Sequence, residues 1–281
     1  MDTVGAVSTY VLQQGLDHTT GRVHSVFRTS LNIEVNGFLL HVGGMSDPLS
    51  CLGISLPDQE VAQLLAVTRV GDLVVFRSGT LRLYAQTRVV RVDLNSLDLV
   101  STKVPVLGES WSRRTLEKAL QPVEIVSGTG LVPSADLSAA LRVLSRVAMG
   151  CDDERLDHAV MFLMGRGLGL TPSGDDILMG FGTALGARGL TSVFDGRNVA
   201  SSAVGRTTDV SIAYLRAMAD GYANEDFVSL VRSLRDRDDA VCRSAVARIL
   251  SVGHTSGHDS LLGFIIGMGL FDLLEGPLRN E

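Results

Sequence analysis

Ser173-Gly-Asp-Asp-Ile-Leu-Met-Gly-Phe-Gly-Thr-Ala-Leu-Gly186 returns, without gaps, as Ser256-Gly-His-Asp-Ser-Leu-Leu-Gly-Phe-Ile-Ile-Gly-Met-Gly269. Seven of the fourteen aligned positions match: Ser, Gly, the second acid, Leu, Gly, Phe and the last Gly. Each copy opens on polar residues suited to a helix start, where several backbone N–H groups lack partners. Each then runs into apolar sequence dotted with glycine. The phrase therefore predicts two helices of one design, whose N-terminal ends build one site together. Gly180, Gly182 and Gly186 in the first helix, with Gly263, Gly267 and Gly269 in the second, each cost about 0.5–1 kcal/mol relative to Ala. Close packing of the two helices across a pseudo-twofold is the simplest compensation, and it would bring their starts together.

The residues ahead of each helix sharpen the chemistry. The first copy is preceded by Gly165-Arg-Gly-Leu-Gly-Leu-Thr-Pro172, and the second begins within Gly253-His-Thr-Ser-Gly-His-Asp259. The bland alternative is that Ser173, Asp175, Ser256 and Asp259 only cap their own helices. Capping tolerates many substitutes, however, and does not require Ser-Gly-x-Asp followed by Leu-x-Gly-Phe twice. Free N–H groups and helix dipoles favour a carboxylate or phosphate. Asp175, Asp176 and Asp259 oppose a purely anionic ligand and suit ligand N–H groups, or a divalent cation such as Mg²⁺. A small substrate with both a carboxylate and amide hydrogens satisfies both sets.

On this reading Asp176, Asp259, His254 and His258 are the candidate catalytic residues, the imidazoles because they titrate near neutrality. Arg166, Thr171, Ser173, Gly174, Asp175, Ser256 and Gly257 are the candidate substrate-binding residues, with Arg166 the candidate clamp for a carboxylate or phosphate. His254 and His258 are four apart, but the intervening Ser-Gly helix start argues against a shared zinc site. No cofactor is expected, Mg²⁺ being the one ion these acids would suit. Neither a Gly-x-x-x-x-Gly-Lys-Ser/Thr phosphate loop nor a Gly-x-Ser-x-Gly nucleophile turn is present.

Upstream, the pattern is that of strands. Gly21 to Phe27, Leu31 to Val35, Phe38 to Val42 and Cys51 to Leu56 are short and rich in β-branched or aromatic residues, as are Leu73 to Phe76, Leu81 to Gln86 and Arg88 to Leu94. Asn36-Gly37 and Ser78-Gly79 are turn signals between neighbouring runs, and Asp58 to Ala66, after Pro57, reads as a short helix. After Trp111 the spacing becomes helical: Ser112 to Leu120, Ala135 to Ala148, Asp153 to Met164, Asp175 to Ala187, Asn198 to Ala219, Glu225 to Leu234, Asp238 to Val252 and His258 to Leu274. Thr207-Thr-Asp-Val-Ser211 resembles an N-cap within the longest of these. The fold class expected is α+β, with a β-rich N-terminal barrel or sandwich-like part over 1–125 and a helical part over 126–281 that carries the doubled motif.

Bulk properties narrow the partners. A chain of 281 residues with 45% hydrophobic residues and mean hydropathy +0.25 can bury a large core. A net charge of −6 with no basic face argues against nucleic acid. The longest apolar stretch, Leu261 to Leu274, contains Asp272 and is shorter than the roughly 20 residues of a membrane span. No signal peptide is evident. Cys51, Cys151 and Cys242 are few, odd in number and far apart, which suits reduced thiols and a cytoplasmic protein.

Gly169-Leu-Thr-Pro-Ser-Gly-Asp-Asp176 and Gly253-His-Thr-Ser-Gly-His-Asp259 are similar to the two signature stretches of the AllH-like family, long catalogued as a domain of unknown function. Gly21-Arg-Val-His-Ser-Val-Phe27 and Thr207-Thr-Asp-Val-Ser211 extend the resemblance over most of the chain. It implies a subunit of the oxamate carbamoyltransferase of allantoin degradation, which converts oxalurate and phosphate into oxamate and carbamoyl phosphate, and so implies partner subunits. Oxalurate has the mixed character inferred above. Backbone N–H groups near Ser173-Gly174 and Ser256-Gly257 would hold its carboxylate or the phosphate. Asp175, Asp176 or Asp259 would accept its N–H groups, and His254 or His258 would move a proton. The alternative is a non-catalytic structural or regulatory subunit, in which the doubled motif is a clasp or a regulatory ligand pocket.

Overall fold

The computed structural model describes residues 5–108, 111–121 and 124–274. The chain divides into two compact units, Met1–Lys103 and Val104–Glu281. The change from strand-like to helical spacing predicts a boundary near residue 125. The compact units divide at Lys103 and Val104; within the second, Val104 N–H bonds the Gly221 carbonyl at 3.0 Å and Leu107 N–H the Ala187 carbonyl at 2.6 Å.

In the first unit the elements are β1 (Ala6–Ser8), α1 (Thr9–Leu12), β2 (Thr19–Val26), β3 (Ser30–Val35), β4 (Phe38–Gly44), β5 (Gly53–Leu56), α2 (Asp58–Leu65), β6 (Leu73–Arg77), β7 (Thr80–Tyr84), β8 (Val89–Asp93) and β9 (Asp98–Val100). All nine strands form one sheet in the order β8-β7-β6-β2-β3-β4-β5-β1-β9. Asn36 and Gly37 both have positive φ (51° and 77°), as do Ser78 and Gly79 (53° and 69°). That is the requirement of the tight two-residue hairpin turn, and it sets the registers Val35↔Phe38 and Arg77↔Thr80. Alternate residues Leu31, Ile33 and Val35, with Leu40 and Val42, then fall on one buried face together with Val74, Phe76, Leu81 and Leu83.

The sheet curls towards itself as a half-barrel. Val7 and Leu99, from one end, and Phe76 and Thr80, from near the other, line a common pocket of about 340 Å³. The end strands β8 and β9 do not pair. Strands β1 and β9, three residues each, carry too little alternation to be read from sequence. Elsewhere in this unit the Nδ1 of His41 on β4 hydrogen-bonds Asn32 Oδ1 on β3 at 3.0 Å, and Asn32 Nδ2 donates to Ser25 Oγ on β2 at 3.1 Å. Burial lowers the His41 pKa from 6.5 to about 4.

The second unit is helical: α3 (Arg113–Leu120), α4 (Ala135–Ala148), α5 (Leu156–Leu163), α6 (Ser173–Ala187), α7 (Gly196–Ser202), α8 (Asp209–Ala219), α9 (Glu225–Asp236), α10 (Asp239–Leu250) and α11 (Ser256–Gly267). The single helix expected over Asn198 to Ala219 is two. Gly205 turns at φ 75°, and the Thr208 hydroxyl caps α8 by accepting the Ser211 N–H, as the Thr-Thr-Asp sequence suggested. The helix expected from Asp153 starts at Leu156, because the Asp153 carboxylate takes the Arg155 N–H and guanidinium instead. The last helix stops at Gly267 and turns at Gly269, φ 77°, with Leu270 N–H bonding back to the Ile265 carbonyl at 3.1 Å. Such a left-handed glycine closes a helix by satisfying its last carbonyls. Helices α6 and α11 lie at the centre, and Phe181, Phe264, Ile177, Leu261 and Ile265 are fully buried.

Candidate functional site at the starts of two crossed helices

Backbone contact between α6 and α11 is the basis of the site. A Cβ placed on Gly180 would lie 1.8 Å from the Ser260 carbonyl oxygen and 2.9 Å from the Phe264 nitrogen. One on Gly263 would lie 1.9 Å from the Ile177 oxygen and 2.9 Å from the Phe181 nitrogen. Ile177 and Ser260 are equivalent in the doubled phrase, as are Phe181 and Phe264, so the contact obeys a local pseudo-twofold. Gly267 also lies against α6, 2.7 Å from the Phe181 oxygen by the same measure. The other three glycines have different reasons: Gly182 makes room for Met218 of α8, Gly186 faces open space and Gly269 is the turn that ends α11. Gly174 and Gly257 extend the symmetry, since their Cβ atoms would strike the Leu163 and Ile249 carbonyls at 1.9 and 2.0 Å. The repeated unit is thus a helix hairpin, α5–α6 and again α10–α11.

This packing brings the polar starts together. Neither helix has a side-chain cap of its own; the N-cap positions are Pro172 and Thr255. The serines reach across instead. The Ser256 hydroxyl of α11 interacts with Asp176 of α6, and the Ser173 hydroxyl of α6 with Asp259 of α11. Thr171 joins the first pair, 3.1 Å from Ser256 Oγ. Asp259 also receives the Gly130 N–H, at 3.1 and 3.4 Å from its two oxygens, and the Thr255 hydroxyl favours its charge. The capping alternative therefore fails for both serines.

The two acids are unequal. Asp259 is fully buried, but four neighbours favour its charge: Ser173, the Gly130 N–H, Thr255 and His258 offset part of the upward push from burial. Asp176 is 4% exposed. Its Oδ2 is buried without a hydrogen-bond partner. Burial, with the charges of Asp259 and Asp175 added to it, raises its carboxyl well above the usual carboxylate range, and the Ser256 and Thr171 hydroxyls counter this only in part. An isolated buried charge is costly, and a neutral carboxyl is the normal resolution.

The remaining candidates occupy definite but different places. Asp175 is fully buried, with one oxygen on the Gly165 N–H at 2.7 Å and the other on the Thr207 hydroxyl. It ties the glycine-rich loop to the chain entering α8. The Gly174 and Gly257 N–H groups bond the Arg166 and Val252 carbonyls at 2.8 and 3.1 Å. These two donors, expected to hold a ligand anion, are thus spent within the chain. The exposed Arg166 guanidinium lies 3.8 Å above the Phe162 ring, and its Nε bonds the Phe162 carbonyl. His254 is exposed. His258 is half-buried; its ring packs where a Cβ on Gly128 would be, 2.1 Å from Cδ2, and its Nδ1 is buried without a partner.

Gly128 and Gly130 carry no sequence expectation, and Thr207 and Thr255, though within quoted motifs, are not among the residues expected at the site. Gly128-Thr-Gly130 was the available signal, because closely spaced glycines mark close approach of backbone to a neighbour. A Cβ on Gly130 would lie 2.2 Å from Ser173 Oγ. Among the described residues no three or more His, Cys, Asp or Glu side chains gather as a metal site. What the arrangement offers is hydroxyls, an imidazole and two buried carboxyls, both raised by burial and Asp176 the more strongly of the two.

The model of the family described as oxamate carbamoyltransferase subunit AllH matches residues 163–268. That stretch begins at the last residue of α5, ends just beyond α11 and contains both copies of the phrase. The similarity lies within the helical unit; the β-rich unit, including Gly21 to Phe27, is outside it. The family's description is that of one subunit of an enzyme, which entails partner chains. No solved structure matches the chain.

Proposed function

We propose that this chain is a subunit of a carbamoyltransferase complex that converts oxalurate and phosphate into oxamate and carbamoyl phosphate, and that the substrate is held where α6 and α11 begin. The crossed pairs Asp176 with Ser256 and Asp259 with Ser173 carry the reading, because they build one polar site from both copies of the phrase. The similarity of residues 163–268 to a family described as an oxamate carbamoyltransferase subunit supports the reaction class.

Oxalurate presents a carboxylate, carbonyl oxygens and several N–H groups. The Ser173, Ser256 and Thr171 hydroxyls each donate or accept, and Asp259 accepts N–H groups. In the reaction the bond between the carbamoyl carbon and the oxamate nitrogen breaks while a carbon–oxygen bond to phosphate forms. The proton of hydrogen phosphate ends on that nitrogen. We assign that transfer to Asp176, whose carboxyl burial raises above the usual carboxylate range, and to His258, since acid–base catalysis uses side chains positioned to hand over a proton. Arg166, stacked on Phe162, and His254 contribute at the rim. Three free cysteines, Cys51, Cys151 and Cys242, fit a reducing compartment, and we place the complex in the cytoplasm. No helix among the described residues is long and apolar enough to cross a membrane.

Thermal-shift titration of the full chain with oxalurate, oxamate and carbamoyl phosphate tests the proposal, because a ligand of the folded state raises apparent stability. Oxamate or oxalurate is expected to raise the midpoint, and Asp176→Ala to abolish the rise. No rise with any of the three, together with complex activity that survives Asp176→Ala, would overturn it and leave a non-catalytic structural or regulatory subunit.

A further inference from the structure

Asp176 and Asp259 hold the same position in the two copies, yet their surroundings differ in one respect that decides chemistry. Asp259 has a backbone N–H at 3.1 and 3.4 Å from its oxygens, supplied by Gly130. Asp176 has no such donor, and its Oδ2 is buried without any partner. No ion pair with Lys, Arg or His reaches Asp176 among the described residues. The charges that bear on it, Asp175 of its own helix and Asp259 of α11, are both negative. From the loop before α6 and from α11, the Thr171 and Ser256 hydroxyls favour its charge.

We propose, building on the reading above, that Asp176 presents a protonated Oδ2 to the ligand and recognises an acceptor oxygen of a carboxylate or phosphate. It does not accept a ligand N–H, and it does not ligate a cation. A carboxylate in this place would leave a charged acceptor buried with no donor on one oxygen, which costs the full desolvation of that group. A carboxylic acid turns the same oxygen into a donor that lacks only an acceptor. The asymmetry then orients a substrate having oxygen and N–H on one carbon, oxygen towards Asp176 and N–H towards Asp259. It also accounts for an anionic substrate in a site built from acids.

Asp176→Asn separates the alternatives, because an amide keeps a donor at that position and Ala removes it. Calorimetric titration of the full chain at pH 7 with oxamate, and separately with inorganic phosphate, is the measurement. The variant Asp176→Asn should bind one of them within about threefold of the parent, and Asp176→Ala about tenfold or more weaker. If this contrast is seen with oxamate alone the anion read is the carboxylate, and with phosphate alone the phosphate. Loss in Asp176→Asn equal to that in Asp176→Ala, or binding that requires Mg²⁺, would overturn the proposal. Infrared spectroscopy decides the protonation without a ligand. The carbonyl stretch of a protonated carboxylic acid should be present at pH 7 and vanish in Asp176→Asn; its absence from the parent would overturn the proposal. If the parent binds neither oxamate, oxalurate nor carbamoyl phosphate while the infrared band is present, the functional reading fails and the neutral acid stands.

Discussion

Gly180 and Gly263 occupy the same position in the two copies of the phrase, and each lies against the carbonyl three residues before the other. A methyl at either place would meet oxygen at 1.8 or 1.9 Å, and the atoms it meets are helix backbone, which cannot swing aside. Gly180→Ala and Gly263→Ala should each destabilise the second unit by about 3 kcal/mol, at the upper end of overpacking effects. Gly186→Ala, on the same helix but facing open space, should instead stabilise by about 0.5 kcal/mol, since Ala is the better helix former. Urea unfolding of the three variants checks the contrast; equal effects would contradict the packing described.

Asp175 follows as a structural residue. Asp175→Ala leaves the Gly165 N–H and the Thr207 hydroxyl without their acceptor, a loss of about 2–3 kcal/mol. The denaturation midpoint should fall with little change in slope. A variant as stable as the parent would return Asp175 to the candidate ligand-binding groups.

Asp176 gives a pH dependence of definite sign. Its carboxyl is raised in the folded chain, so between 3.8 and that raised value the folded state retains a proton that the unfolded state has released. Stability therefore declines as pH rises through this window. Asp176→Asn removes the titration and should raise the melting temperature relative to the parent at pH 7–8, with the gain shrinking towards pH 4. Melting curves across that range that stay parallel for the two proteins would count against a raised Asp176.

His41 should act in the opposite direction. Its pKa is lowered from 6.5 to about 4, so on acidification the unfolded chain takes up a proton first. The stability linked to His41 is intact above about 6.5, falls as pH drops towards 4, and is level below that. His41→Asn keeps a donor for Asn32 Oδ1 but cannot titrate. Acid unfolding of this variant should show a shallower decline between pH 6.5 and 4 than the parent; an unchanged slope would mean that other groups dominate.

Much of the architecture was legible because it rests on local rules. Asn36-Gly37 and Ser78-Gly79 dictate their hairpins through positive φ, and strand alternation then assigns the buried face. Thr208 marks the break between α7 and α8 because a hydroxyl that accepts the Ser211 N–H starts a helix. The repetition of Gly180 and Gly263 already implied two helices in backbone contact. The three-residue strands β1 and β9 are too short to show a period, and the places of Val104 and Leu107 depend on hydrogen bonds to Gly221 and Ala187 far along the chain.

By itself, the sequence determined that two like helices exist, that glycines let them touch and that hydroxyls and acids stand at their starts, since propensity, periodicity and repetition are properties of neighbours along the chain. Only the tertiary structure decided that Ser173 serves Asp259 while Ser256 serves Asp176, that Asp175 is spent on Gly165 and Thr207, and that one acid of the pair has a backbone donor and the other none. Charge state and hydrogen bonding depend on distance and burial in space, and residues more than eighty positions apart set both.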